Sequence, residues 1–160
     1  MLSAGISAEI VKKKENSSPS WIPRSLAYLL PIPHTLYTHQ PQEGKLNTEN
    51  FSSLIGLFFC NGIYAGGGMK FGGNEALLDD ESLNVMAVSK QPLIPLFQSL
   101  KGLVTGNFTS SPYLYKIQGD HFNFSSTSSF ALEADGEFLG YFSSFEISKA
   151  GKIEILPAHS

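Results

Sequence analysis

A mainly β fold is predicted for this sequence, a two-sheet antiparallel β-sandwich with one or two short helices, and three observations predict it. Between Tyr113 and Leu156, six short runs of alternating or aromatic-rich residues follow one another, split by Gly, Asp and Ser. Upstream, Phe51 to Asn61 is a short apolar run rich in Leu, Ile and Phe, as a buried strand is. Helical periodicity is clear only once, from Pro92 to Thr105. Many short strands with little helix favour two sheets packed face to face. The 160 residues suit one domain, and 42% apolar residues with 12 Phe and 6 Tyr supply a core without disulfides.

In chain order, Ser3 to Val11 is compatible with a strand, and Lys12 to Ser20 reads as a polar loop. Arg24 to Leu30 reads as a short helix with Leu26, Leu29 and Leu30 on one side, stopped by Pro31 and Pro33. Around it Trp21, Ile22, Tyr28, Ile32 and Tyr37 form an apolar set. Packing on the domain's own core is the favoured reading of that set, and contact with a membrane is the other. Gln40 to Asn50 is polar, and the strand Phe51 to Asn61 follows it. Leu83 to Val88 is the next strand candidate. In the helix Pro92 to Thr105, Leu93, Leu96, Phe97, Leu100, Leu103 and Val104 recur at helical spacing, Pro92 suits the first turn and Gly106 is placed to cap. The closing strands are Tyr113 to Ile117, Phe122 to Ser125, Phe130 to Ala134, Phe138 to Phe142, Phe145 to Ser148 and Lys152 to Leu156, with Ser125 to Ser129 read as a loop.

A formal net charge of -3 offers no positive field to nucleic acid, and the only basic run, Lys12-Lys13-Lys14, is short. The single cysteine, Cys60, reads as a buried hydrophobe and points to a reducing, cytoplasmic compartment. No apolar stretch approaches the ~20 residues that span a bilayer. The first residues lack the basic-then-apolar order of a secretion signal. Met1 to Val11 starts in mid-element, as a domain cut from something longer would.

Three constellations could carry chemistry. Gly66-Gly67-Gly68-Met69-Lys70 is either a tight turn or a ligand-facing turn whose backbone amides approach an anion, but it lacks the spelling of a Walker loop. Asn74, Glu75, Asp79, Asp80 and Glu81 offer oxygen ligands suited to a hard cation, or form a solvated acidic turn. Asp135-Gly136 is a strong two-residue hairpin signal between alternating runs. With Glu137 it also places two carboxylates on a rigid mount, where one could take a proton from a substrate hydroxyl. His34, His39, His121 and His159 show no metal-ligand spacing with Cys60 and receive no chemistry.

In order and separation these elements resemble the C-terminal domain of the diacylglycerol kinase and sphingosine kinase superfamily, in its soluble bacterial branch. The resemblance runs over nearly the whole chain. Ser3 to Val11 looks like the strand that opens that domain, and Leu26 to Leu30 like the helix after it. Asn61, Gly66-Gly67-Gly68-Met69 and Ala76 to Val85 look like the family's asparagine, glycine cluster and aspartate loop. Asp135-Gly136-Glu137 and the closing segments Glu146-Ile147 to Ile155-Leu156-Pro157 match as well. Glu81 stands where the family commonly has glycine, Asn84 where it has a second aspartate, and Asn74 where it has proline.

What the resemblance implies is specific. Asp135 would be the general base that deprotonates a lipid hydroxyl attacking the γ-phosphate of ATP, with Glu137 assisting. Gly66, Gly67 and Gly68 would face the nucleotide cofactor. Asp80 and Asp79, with backbone oxygen such as that of Leu83, would hold a structural Mg2+, and a second role for Mg2+ lies with ATP. The family's nucleotide-binding half, marked by Gly-Gly-Asp-Gly-Thr, has no counterpart here, so the chain alone is expected to be inactive. Its expected partners are that missing half and a lipid substrate at a membrane surface, reached from the cytoplasm. An interdomain surface left uncovered also leaves room for a homodimer. The rival reading is a non-catalytic β-sandwich module that binds lipid or a partner, or the relic of a split kinase gene.

Overall fold

A glycine ends the first element immediately before the second begins. In the computed structural model, which describes residues 1–17, 34, 35, 38–62, 70, 82–107 and 111–150, strand β1 is Leu2–Gly5 and helix α1 is Ile6–Ser17. Gly5 sits at φ +90° between them, with no room for a β-carbon, since one would lie 2.5 Å from the Ile55 carbonyl oxygen. The strand expected over Ser3 to Val11 therefore stops at Gly5, and the loop expected from Lys12 is helix as far as Ser17. The alternation of Ile6, Ala8 and Ile10 imitates a pleat. The helix forms instead because Ala8 and Val11, three residues apart, are buried on one side, and Glu9 stands in the first turn, where the helix dipole favours a carboxylate.

The remaining elements are β2 Gln42–Leu46, β3 Glu49–Cys60, β4 Leu83–Ser89, α2 Leu93–Thr105, β5 Leu114–Gly119, β6 His121–Ala134 and β7 Glu137–Ser148. All pairings among the described strands are antiparallel, in the order β1-β6-β2-β3-β4-β5, with β7 added on β6. Because β1 also pairs with β3, the strands β1, β6, β2 and β3 close on one another as a partial barrel, which β4, β5 and β7 extend. The fold is mainly β and sandwich-like, with its described strands sharing one hydrogen-bonded network.

Two strands are longer than the sequence suggests. β6 runs straight through Ser125 to Ser129, expected as a loop, because a shift of register between Ser125 and Phe130 absorbs the extra residues as a bulge. The two expected strands after Asp135 are likewise one, β7. β2 lies within a stretch read only as polar. It forms because Leu46 is fully buried and Asn47, at φ +52°, turns the chain into β3 while its Oδ1 accepts the Asn123 N–H at 2.8 Å. Helix α2 begins after Pro92, as expected, and Gly106 caps it at φ +78°, donating its N–H to the Gly102 carbonyl at 2.8 Å.

Strand β3 is the spine of the core. Leu54 to Cys60 are buried on both faces. Leu54, Leu57 and Phe59 join Ala4, Leu46, Val85, Phe122, Phe124, Phe130 and Leu132, while Phe58 and Cys60 pack with Met86 on the other side. Phe124 meets Phe130 edge to face at 5.0 Å, an arrangement that stabilises beyond the area it buries. The expected helix Arg24 to Leu30, the apolar set from Trp21 to Tyr37 and the strand Lys152 to Leu156 lie outside the described residues. Among those described, no helix is long and apolar enough to cross a membrane.

Cys60 matches its reading as a buried hydrophobe, at 3% exposure. Burial pushes its thiol up to about 11, and the nearby Glu133 carboxylate pushes the same way against the amino terminus. An unfolded thiol ionises near pH 8.5, so the unfolded state loses its proton first as pH rises. Stability tied to Cys60 is therefore complete below about pH 8.5 and falls between there and pH 11, by roughly 3 kcal/mol in all. Urea unfolding at pH 7.5 and pH 10 is expected to show this loss in the native chain and a smaller one in Cys60→Ala. An equal loss in both would remove Cys60 as the cause.

Candidate active site

The hairpin joining β6 to β7 turns on two residues. Asp135 at φ +48° and Gly136 at φ +87° both take the left-handed conformation, the signature of a type I′ turn, whose twist matches that of the flanking strands. Glycine takes it without penalty and Asp is among the few other residues that visit it. On one side of β6, Ala134 pairs with Glu137 and Glu133 with Phe138. On the other side β1 runs alongside, with Leu2 opposite Ala134 and Ser3 opposite Glu133. The Asp135 N–H extends that ladder by donating to the Met1 carbonyl at 2.9 Å. The hairpin is thus held from both sides up to its last residue.

Asp135 projects from the tip with 85% of its side chain exposed, one oxygen 2.5 Å from the Met1 amino group. Glu137, the first residue of β7, is exposed as well. The structure therefore brings both sequence-predicted carboxylates to one hairpin end and leaves both exposed to solvent.

A third carboxylate beneath them escaped the sequence reading. Glu133 is only 1% exposed. One of its oxygens accepts from Ser3 Oγ at 2.6 Å and the other from the Gly136 N–H at 2.9 Å. A signal was present in retrospect, since Glu133 is the lone charge in the run Phe130 to Ala134, and a charge buried within an apolar run needs partners.

A second network ties α1 to β7. Tyr141 Oη donates to Glu9 Oε1 at 2.8 Å and accepts from Lys12 Nζ at 2.9 Å, a hydrogen bond that raises the Lys12 pKa. The same ammonium lies 5.2 Å from the Phe138 ring centre and 4.6 Å from that of Tyr141. This cluster braces the helix against the strand that carries Glu137.

Of the other sequence-predicted residues, Gly66, Gly67, Gly68, Asp79 and Asp80 lie outside the described residues. Leu83 opens β4 opposite Gly119 and is buried. Beside it Asn84 accepts from Gln118 Nε2 at 2.8 Å, while its buried Nδ2 has no hydrogen-bond partner among the described residues. The described residues contain no cluster of three His, Cys, Asp or Glu that could hold a metal by themselves. His39 is partly buried, which holds its pKa down, and its Nε2 likewise lacks a partner there.

The chain belongs to the family described as the YegS C-terminal NAD kinase beta sandwich-like domain, whose model matches residues 1–157. Its fold is similar to those of three solved structures from Bacillus anthracis str. Sterne, one described as a diacylglycerol kinase and two as a putative diacylglycerol kinase. One is 12% identical with a TM-score of 0.54, covering 91% of this chain and 47% of that one. Another is 16% identical with a TM-score of 0.53, covering 91% and 48%, and a third is 11% identical with a TM-score of 0.51, covering 91% and 44%. The chain thus spans less than half the length of these structures. No curated protein sequence matches it.

Proposed function

We propose that this chain is the substrate-side domain of an ATP-dependent lipid kinase, with the β6–β7 hairpin as its catalytic tip and diacylglycerol or a related lipid alcohol as acceptor. A finer reading of the fold, as two antiparallel sheets packed face to face, belongs to the same proposal. The observation that carries the function is the exposed Asp135 carboxylate on a turn fixed from both sides. Such a group meets the geometric need of a general base, which must reach a hydroxyl while its own position stays defined.

In the reaction Asp135 accepts the hydroxyl proton as the lipid oxygen attacks the γ-phosphorus of ATP. The new oxygen–phosphorus bond forms while the bond to the β,γ-bridging oxygen breaks, giving lipid phosphate and ADP. Glu137, the second exposed carboxylate at the same hairpin end, assists Asp135. The domain that binds ATP would be supplied by a nucleotide-binding partner half, and Gly66, Gly67 and Gly68 would be the residues of this chain that meet the nucleotide. Mg2+ at the phosphates supplies charge neutralisation when bound. The lipid is met at a membrane surface, which makes the protein cytoplasmic and peripheral.

Phosphate transfer from ATP to diacylglycerol, measured after adding the nucleotide-binding half of a relative, tests the proposal. Transfer that requires both halves supports it; binding of the halves without transfer to any lipid alcohol would leave a lipid-binding module instead.

For the second metal role, the residues that would hold a structural Mg2+ are Asp80 and Asp79 with the Leu83 carbonyl, since oxygen donors are what that cation takes. Binding to the folded state raises stability by mass action, about 2.7 kcal/mol at a hundred times the dissociation constant. Mg2+ is therefore expected to raise the melting temperature by several degrees in the native chain and not in Asp80→Asn. A melting temperature indifferent to Mg2+ up to tens of millimolar would remove the site.

A further inference from the structure

We propose that Glu133 is the positioning residue of this site: its buried carboxylate fixes the Asp135-Gly136 turn and so determines where Asp135 points. The role in catalysis rests on the reading of Asp135 as the base, whereas the hold on the turn does not.

Each Glu133 oxygen has its own donor, Ser3 Oγ at 2.6 Å from β1 and the Gly136 N–H at 2.9 Å from the turn. The carboxylate is therefore a clamp between the strand beside the hairpin and the turn at its tip. The Asp135 side chain is 85% exposed and meets the Met1 amino group at the end of β1, so its direction follows from the backbone that carries it together with that ion pair. That backbone is held in the left-handed region, which Asp tolerates better than most residues but which its surroundings must still select. Two hydrogen bonds enforce it here, one from the Asp135 N–H to the Met1 carbonyl and one from the Gly136 N–H to Glu133. Bonds to a charged acceptor are the stronger kind. A buried carboxylate is costly to keep, and an apolar residue at 133 would close the same strand pairing without fixing the turn.

Substitution can separate the clamp from the charge. In Glu133→Gln the amide oxygen can still accept from the Gly136 N–H while the amide nitrogen donates to Ser3 Oγ, so the clamp survives without its charge. Glu133→Ala removes it altogether.

Amide hydrogen exchange followed by NMR on this chain reads the hold on the turn. Gly136 is expected to be protected in the native chain, to exchange at least tenfold faster in Glu133→Ala, and to regain most of its protection in Glu133→Gln, while the amides of β3 are unchanged. Unchanged exchange at Gly136 in Glu133→Ala would overturn the proposal. Should Glu133→Ala fail to fold, Ser3→Ala removes one arm of the clamp: faster Gly136 exchange then supports the proposal and unaltered exchange defeats it.

Kinetics with the nucleotide-binding half supplied read the consequence. Glu133→Ala is expected to lower kcat at least tenfold with the KM for ATP unchanged, and Glu133→Gln to restore most of it. The comparison is Leu54→Ala, a core variant destabilised without removing any bond to the Asp135-Gly136 turn. If the two alanine variants lower kcat equally, Glu133 is only structural and the positioning role falls. Loss of Gly136 protection in Glu133→Ala, together with full activity in Asp135→Asn, would refute the base and leave the hold on the turn standing.

Discussion

Asp135→Asn is expected to lower phosphate transfer into lipid by a factor of about 100 to 10,000, the usual contribution of a positioned general base. That corresponds to roughly 3–5 kcal/mol of transition-state stabilisation. The substitution is unusually clean, because Asn visits the left-handed region as readily as Asp and keeps the I′ turn intact. It also breaks the ion pair with the Met1 amino group, but Asp135 is exposed and ion pairs at the surface contribute little to stability. Melting temperature and Gly136 exchange should stay at their native values while the rate collapses. Phosphate transfer into diacylglycerol, assayed with the nucleotide-binding half present, is the measurement, and an undiminished rate would move the base elsewhere.

Gly5→Ala is expected to cost about 3–4 kcal/mol of folding stability, a large share of the 5–15 kcal/mol of an ordinary domain. Two penalties combine. At φ +90° an alanine is strained, and its β-carbon would meet the Ile55 carbonyl oxygen at 2.5 Å and Gly56 Cα at 3.1 Å. Those are backbone atoms of the central strand β3, so relief requires moving the core rather than rotating a side chain. The melting temperature should fall by about 10 °C. Ile94→Ala, on the exposed side of α2 at 74% exposure, should stay within about 0.5 kcal/mol by the same urea titration. A Gly5→Ala loss of less than 1 kcal/mol would mean that β1 and β3 can part at this point.

The hairpin was legible because its signals are local: Asp-Gly between alternating runs fixes a turn within a few residues, and the same local rules gave α2 from Pro92 to Gly106. The first segment misled for the opposite reason. Nothing adjacent to Gly5 announces that β3 presses against it, and without that neighbour Ile6, Ala8 and Ile10 fit a strand as well as a helix. Ser125 to Ser129 reads as a loop by composition, yet partners on either side carry it through β6 as a bulge. The site divided the same way. Asp135 and Glu137 belong to a contiguous motif, whereas the role of Glu133 depends on Ser3, a partner far away in sequence.

That distance bears on how the molecule folds. Ser3 and Glu133 are 130 positions apart, so the clamp closes a loop nearly as long as the domain, and pairings of such separation are the slowest to form in a folding chain. The hairpin of β6 and β7 can assemble early from neighbouring residues, but its Asp135 acquires a defined direction only when β1 docks along β6. A nascent chain that has completed every strand except this last docking would hold its β architecture and still lack a fixed hairpin tip.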